Sequence, residues 1–197
     1  ERVKAMRDPD FKAQLLTEES EKVAGDGTAV PPLADMLLKM IDFISCKMFK
    51  LGENPHYEQD LEDSMYKRAE RAGVSPLEMI YDTLLEKDGQ EFIYFQIYNY
   101  TDLSFDNVLT MMKHPQALIG LSDGGAHVGT VCDASFPSYL LSYWTRARER
   151  GEKIPRERAI QMLTSDIADY VGMKDRGRIE VGKKADINVI DMDALRL

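Results

Sequence analysis

Between Phe92 and Leu121 the chain places two β-favouring runs on either side of a stretch with helical spacing, which leaves few folds open. Phe92-Ile93-Tyr94-Phe95-Gln96-Ile97-Tyr98 is almost continuously apolar and aromatic, as expected of a strand buried on both faces in a parallel sheet. Ser104 stands where it can cap a helix carrying Phe105, Val108, Leu109 and Met112, which stops at His114-Pro115. Ala117-Leu118-Ile119-Gly120-Leu121 reads as a second buried strand, ending at Ser122-Asp123-Gly124-Gly125. Strand, helix and strand with short connections make a βαβ unit with a right-handed crossover, so the expected fold class is α/β.

The flanking segments add helices to this frame. Residues 1–17 read as helix, broken in two where Asp8 caps a new start at Pro9. Residues 18–32, with Gly25, Gly27, Pro31 and Pro32, read as loop. Leu33 to Leu51 is apolar, and its half from Ile41 to Lys50 is open between strand and helix end. Leu61, Met65 and Ala69 fall four apart before Gly73, and Ser75-Pro76-Leu77-Glu78 is a capping box with Pro at the first helical position. Leu77, Ile80, Tyr81, Leu84 and Leu85 then share one helical face until Asp88-Gly89. Phe136, Tyr139, Leu140, Tyr143, Trp144 and Ala147 define the longest apolar helix face, closed by Gly151. A further helix from Pro155 shows Ile160, Leu163, Ile167 and Val171 before Gly172, and the tail from Arg176 to Asp191 reads as Gly-punctuated strands around Ile187–Ile190.

Composition closes several function classes. Of 197 residues, 25 are basic and 34 acidic, and the net charge of −9 argues against nucleic acid, which demands clustered Lys and Arg. The same charge disfavours an anionic membrane surface, and no apolar run approaches the ~20 residues that span a bilayer. The 44% hydrophobic content is enough for a packed core. Cys46 and Cys132 make no disulfide framework, so a reducing, cytoplasmic setting is expected. Glu1-Arg2-Val3-Lys4 lacks both an initiator Met and the apolar stretch of a signal peptide, and the numbering is expected to begin inside a longer natural protein.

Asp123 is the first candidate for chemistry. A carboxylate at the C-terminal end of a buried strand, followed by two glycines, sits where loops of parallel α/β folds gather into active sites, and it can serve as a general base. An Asp-Gly turn bonding its own backbone is the alternative. His56, His114 and His127 form no His-x-His or His-Glu-x-x-His pair. His114 reads as a helix stop. His127 lies near Asp123, Cys132 and Asp133, in a spacing that matches no familiar metal site, and a loop histidine making ordinary hydrogen bonds is the other reading. Cys132 beside Asp133 reads as an inert thiol rather than a nucleophile, since the carboxylate raises its pKa. Gly124, Gly125 and Gly129 form no phosphate-binding pattern. The aromatic residues at 139, 143 and 144 read as core rather than as a stacking platform.

The C-terminal half carries a resemblance. His114-Pro115 through Leu118-Ile119-Gly120-Leu121-Ser122-Asp123-Gly124 resembles the last barrel strand of the amidohydrolase superfamily. Phe136-Pro137 with Leu140 is similar to the helix that follows in D-aminoacylase-type members, the N-acyl-D-amino-acid deacylases. Thr164-Ser165-Asp166-Ile167-Ala168 and the tail Gly177-Arg178-Ile179-Glu180-Val181-Gly182 through Ala185-Asp186-Ile187-Asn188-Val189-Ile190-Asp191 extend the likeness to the end of the chain. Upstream, Met6-Arg7-Asp8-Pro9 and Ser75-Pro76-Leu77-Glu78 resemble the same branch less closely.

The resemblance implies the C-terminal part of a (β/α)₈ TIM barrel over residues 1–175, with 18–58 as a loop-rich insertion and 176–197 starting the return to a small β-sandwich domain. It implies a zinc-dependent hydrolase in which a metal-bound water attacks an amide carbonyl. The catalytic Asp of the eighth strand falls on Asp123, as general base and then acid, with Gly124, Gly125 and His127 as substrate-binding neighbours. The family's metal ligands come from a His-x-His after the first strand, a bridging residue and histidines after the fifth and sixth strands. None of the three histidines here stands at such a position, so zinc is expected in the parent enzyme and no tight metal in this chain alone. The stretch Val131–Ser135 also lacks the arginine that D-aminoacylases carry for the substrate carboxylate. The expected partners are a small N-acyl substrate of the parent enzyme and, because a few barrel strands leave open edges, a second copy or the missing N-terminal portion. A non-catalytic binding or structural module reusing the barrel segment is the alternative.

Overall fold

Backbone N–H groups at a helix start need acceptors, and three side chains supply them in the first hundred residues. Asp8 Oδ1 accepts from the amides of Asp10 and Phe11, both at 3.0 Å, so the chain breaks into α1 (Arg2–Met6) and α2 (Pro9–Thr17) as its sequence predicts. Ser64 Oγ accepts from Lys67 N at 3.2 Å to start α4 (Met65–Ala72), after the short α3 (Ile41–Ile44). Ser75 Oγ accepts from Glu78 N at 3.1 Å to start α5 (Pro76–Leu84). The structure, a computed structural model, describes residues 1–18, 36–37, 39–53, 55–120 and 133–195. The chain divides into two compact units, Glu1–Ser104 and Phe105–Leu197.

In the first unit α2 is tied to α5. Lys12 Nζ donates to Glu78 and Asp82, each at 2.8 Å, and Tyr81 Oη donates to the Met6 carbonyl at 2.6 Å. Met65 and Ala69 are buried, as their spacing predicts, but Leu61 lies exposed in a 3₁₀ turn ahead of the helix. On α5 Tyr81 and Thr83 are buried while Leu84 is exposed. The Thr83 hydroxyl meets Met65 Sδ at 3.7 Å, a polar contact inside the interface that apolar periodicity does not reveal.

Two three-residue strands, β1 (Met48–Lys50) and β2 (Ile93–Phe95), pair antiparallel with Phe49 opposite Tyr94. The first resolves the open reading of Ile41–Lys50: helix, 3₁₀ turn, then strand. The second is shorter than the apolar run that predicts it. Its residues are half-buried, and Phe92, Ile97 and Tyr98 beyond its ends are exposed. With one neighbouring strand, β2 buries less than a strand flanked on both sides, and its aromatics use hydroxyls: Tyr94 and Tyr100 share a hydrogen bond, with the Tyr57 ring edge-on to Tyr94 at 5.6 Å.

In the second unit α6 (Asp106–Lys113) stops at His114, whose extended backbone precedes Pro115. Residues 117–120 join no ladder. A single α turn, α7 (Phe136–Tyr139), runs into a π-helix, Leu140–Ala147, and α8 (Arg156–Leu163) and α9 (Ser165–Tyr170) follow. The single helix expected beyond Pro155 is broken at Thr164 (φ −127°, ψ −86°), which turns its second half; Ala159, Met162 and Ala168 are buried in place of Ile160 and Val171. Gly177 (φ +87°) lies so close to α9 that a Cβ there would fall 2.7 Å from Ala168 Cβ. Beyond it, the tail forms no strand among the described residues, and Ile179, Val181 and Val189 stand fully exposed or nearly so.

Candidate functional site

Asp123, Gly124, Gly125 and His127, with Cys132, lie outside the described residues. What is described is the chain on either side of them. Ile119 and Phe136 come together in one apolar pocket of about 170 Å³, with Met112 of α6, Tyr139 of α7, and Leu140 and Trp144 of the π-helix as its other walls. The two flanks of the candidate segment are therefore seated on one surface.

That surface depends on the π-helix. A helix bonded i to i+5 is rare and tends to occur at functional sites. Here Arg148 N donates to Tyr143 O at 2.9 Å across that interval. The wider turn buries Leu140, Leu141, Ser142, Tyr143 and Trp144 in succession, more than one stripe of an α-helix allows. Ser142 and Thr145 hydroxyls donate back to the carbonyls of Ser138 and Leu141 at 2.7 and 2.5 Å. Tyr139 stacks on Tyr143 at 4.9 Å, and Phe105 meets Tyr143 edge-on at 6.0 Å; Tyr143 and Trp144 are buried in the core, as expected, while Tyr139 is half-buried.

Of the buried charged residues Glu58, Glu91 and Arg148, the last two show how such groups escape a reading of the sequence. Arg148 is wholly buried: its guanidinium donates to Asp106 Oδ1 at 2.6 Å and to the Glu152 carbonyl at 2.7 Å, and lies 5.0 Å from the Trp144 ring centroid. Nothing in Arg-Ala-Arg-Glu-Arg marks one arginine as different from its neighbours. In the first unit Glu91 is buried beside β2. Burial pushes its carboxyl upward, but amides of Phe92 and Gly52, each at 3.1 Å, and the Lys87 ammonium at 3.2 Å more than offset this and hold it at about 2. Both charges tie backbone segments together.

A cleft of about 720 Å³ in the second unit runs between α7–α9 and the tail. Leu141, Ile160, Leu163 and Ile167 give it an apolar floor. The cations at its edge are already paired, Arg178 with both oxygens of Asp169 at 2.9 and 2.6 Å and Arg176 with Asp175 at 3.0 Å. Among the described residues no three His, Cys, Asp or Glu side chains converge to hold a metal ion. His114 Nδ1 accepts from Gln116 N at 3.2 Å, a local turn bond in keeping with a helix stop. No described helix is long and apolar enough to cross a membrane.

Comparison with known proteins places these features. No curated protein and no solved structure matches the chain significantly. The model of the amidohydrolase family matches residues 62–197, from the turn before α4 through β2, α6 and the Asp123 segment to the end of the tail. A match over well more than half of its length shows that the chain belongs to the amidohydrolase family.

Proposed function

We propose that this chain is the C-terminal part of the (β/α)₈ barrel of an amide-hydrolysing enzyme, of N-acyl-D-amino-acid deacylase type, with Asp123 as its proton-transfer residue. The observation that carries this reading is the family match, whose bounds, residues 62–197, take in Ser122-Asp123-Gly124-Gly125. Asp123 takes a proton from the attacking water, the C–N bond of the amide breaks, and the same carboxyl returns the proton to the leaving amine. Gly124 and Gly125, with no side chains, let the substrate approach the backbone, and His127 donates or accepts a hydrogen bond at its edge. Zinc, which the resemblance implies, would be held by side chains outside the described residues; the proton transfers assigned here stand on the carboxylate alone.

The test is Asp123→Asn in the complete enzyme that this reading implies, assayed with N-acetyl-D-methionine and its L enantiomer. The amide side chain has the shape of the carboxylate and cannot take the proton, so kcat falls by about 10²- to 10⁴-fold. Turnover close to wild type overturns the role of Asp123. Preference for the L enantiomer removes the deacylase branch and leaves the family.

A further inference from the structure

The tail holds a stretch of backbone in place and leaves it unpaired. Lys184 N donates to the Asp175 carbonyl at 2.8 Å, and the Arg146 guanidinium donates to the carbonyls of Met192 and Leu195, so residues 185–190 are tied at both ends. Between these ties their amides and carbonyls bond to nothing among the described residues. Unpaired backbone of this kind is a template for a strand of another chain. The segment is Ala185-Asp186-Ile187-Asn188-Val189-Ile190-Asp191, rich in β-branched residues, with Val189 99% and Ile187 58% exposed. Ile187 and Ile190 also line the cleft of about 720 Å³ with Leu141 and Ile167, so the tail stands beside apolar surface that is open to solvent.

We propose that residues 185–191 are a docking edge for a second copy of this 197-residue chain, the two segments pairing as antiparallel strands about Asn188. The segment is its own complement. Turned about Asn188, Ile187 of each copy stands opposite Val189 of the other, on one face of the pair, and the Lys184 end of each strand meets the Asp191 end of the other. Charge favours the same occupant. The chain carries −9, yet Arg176–Asp191 holds four basic and three acidic side chains, so two tails meet without the repulsion that the net charge imposes elsewhere. Open strand edges lead one to expect a second copy from the sequence, and the structure assigns the contact to the tail. None of this depends on the role of Asp123.

Light scattering of the 197-residue chain over a range of about 1–200 µM tests this. One strand pair with its side chains is a small interface, so dimers with a Kd on the order of 10 µM are expected. Amide exchange in peptides covering 185–191 slows several-fold across that range, while exchange in α8 stays constant. Val189→Lys weakens the dimer by about tenfold or more, since its ammonium falls opposite Ile187. Val189 is exposed almost completely on its own chain, so this variant keeps the fold, as circular dichroism checks. Phe92→Lys removes an exposed apolar side chain beside β2 and leaves the dimer intact. A monomer throughout the range overturns the proposal, as does a dimer that survives Val189→Lys or is lost equally with Phe92→Lys. Slow exchange of 185–191 in a monomer also overturns it, because the segment is then covered by its own chain.

Discussion

Helices in the two units are started by different means. In Glu1–Ser104, α2, α4 and α5 each begin on a side-chain oxygen, from Asp8, Ser64 and Ser75. In Phe105–Leu197 none of α6, α7, α8 and α9 has such a cap. There, Phe105, Tyr143 and Trp144 pack edge and face on one another, and a buried guanidinium lies over the Trp144 ring. The buried charges differ in the same sense. Glu91 is held by the amides of Phe92 beside it and of Gly52 across the fold, with ammonium groups at its edge, whereas Arg148 is held by the Trp144 ring and the Glu152 carbonyl, each four residues away, and by the distant Asp106 carboxylate. Helix starts in the first unit are specified by side chains two or three residues away, and those in the second are left to packing.

The contrast can be broken most directly at Gly151. Gly151→Ala places a methyl group against both members of the Arg148–Asp106 pair, and crowding the buried guanidinium off its exposed partner, with the strain of a side chain at positive φ, costs about 3 kcal/mol. Urea unfolding followed by Trp144 emission measures it; an unmoved midpoint would show that the second unit does not depend on the Arg148–Asp106 contact.

Acid probes the first unit. The Glu91 carboxyl titrates at about 2, below its ordinary 4.5, so its contribution is complete above pH 5 and is lost as pH falls through the lower value. The loss is on the order of 2 kcal/mol between pH 6 and pH 2. Asp169 and Asp175, drawn down by hydrogen bonds from Arg178 and Arg176, act in the same direction. The difference between wild type and Glu91→Gln in urea midpoint against pH isolates the buried group, and parallel curves would remove it from the account.

The smallest effect sharpens the comparison. Ser64→Ala removes one cap acceptor and costs about 1 kcal/mol, read as a lower thermal midpoint by circular dichroism. Thr164→Ala in the second unit removes no cap, because its hydroxyl donates back to the Ile160 carbonyl. A cap-sized loss there would erase the distinction.

This division also marks what the sequence makes legible. Asp8-Pro9 and Ser75-Pro76-Leu77-Glu78 announce their helices because capping is chemistry between residues two or three apart. The π-helix and the break at Thr164 are invisible to a period of 3.6, since both depart from it: Tyr143 and Trp144 are rightly placed in the core while Ile160 and Val171 are not. Arg148 is hidden among charged neighbours because its burial is decided by Trp144, Asp106 and Gly151 together. For the site, the strand-end carboxylate Asp123 is readable from the chain, and the seating of its flanks at Ile119 and Phe136 is not, because it arises from packing on a surface that several elements build.

The extended tail has a consequence for how the chain meets proteolytic enzymes. A protease takes its substrate in extended form, with several residues laid along its cleft, and helices must unwind before they can enter. Arg176–Asp186 is already extended or turned, with Arg178 and Lys184 open to solvent and Ile179 and Val181 projecting between them. Trypsin-like enzymes would cut there before they cut within α8 or α9, trimming the chain to a shorter body that ends near Gly177.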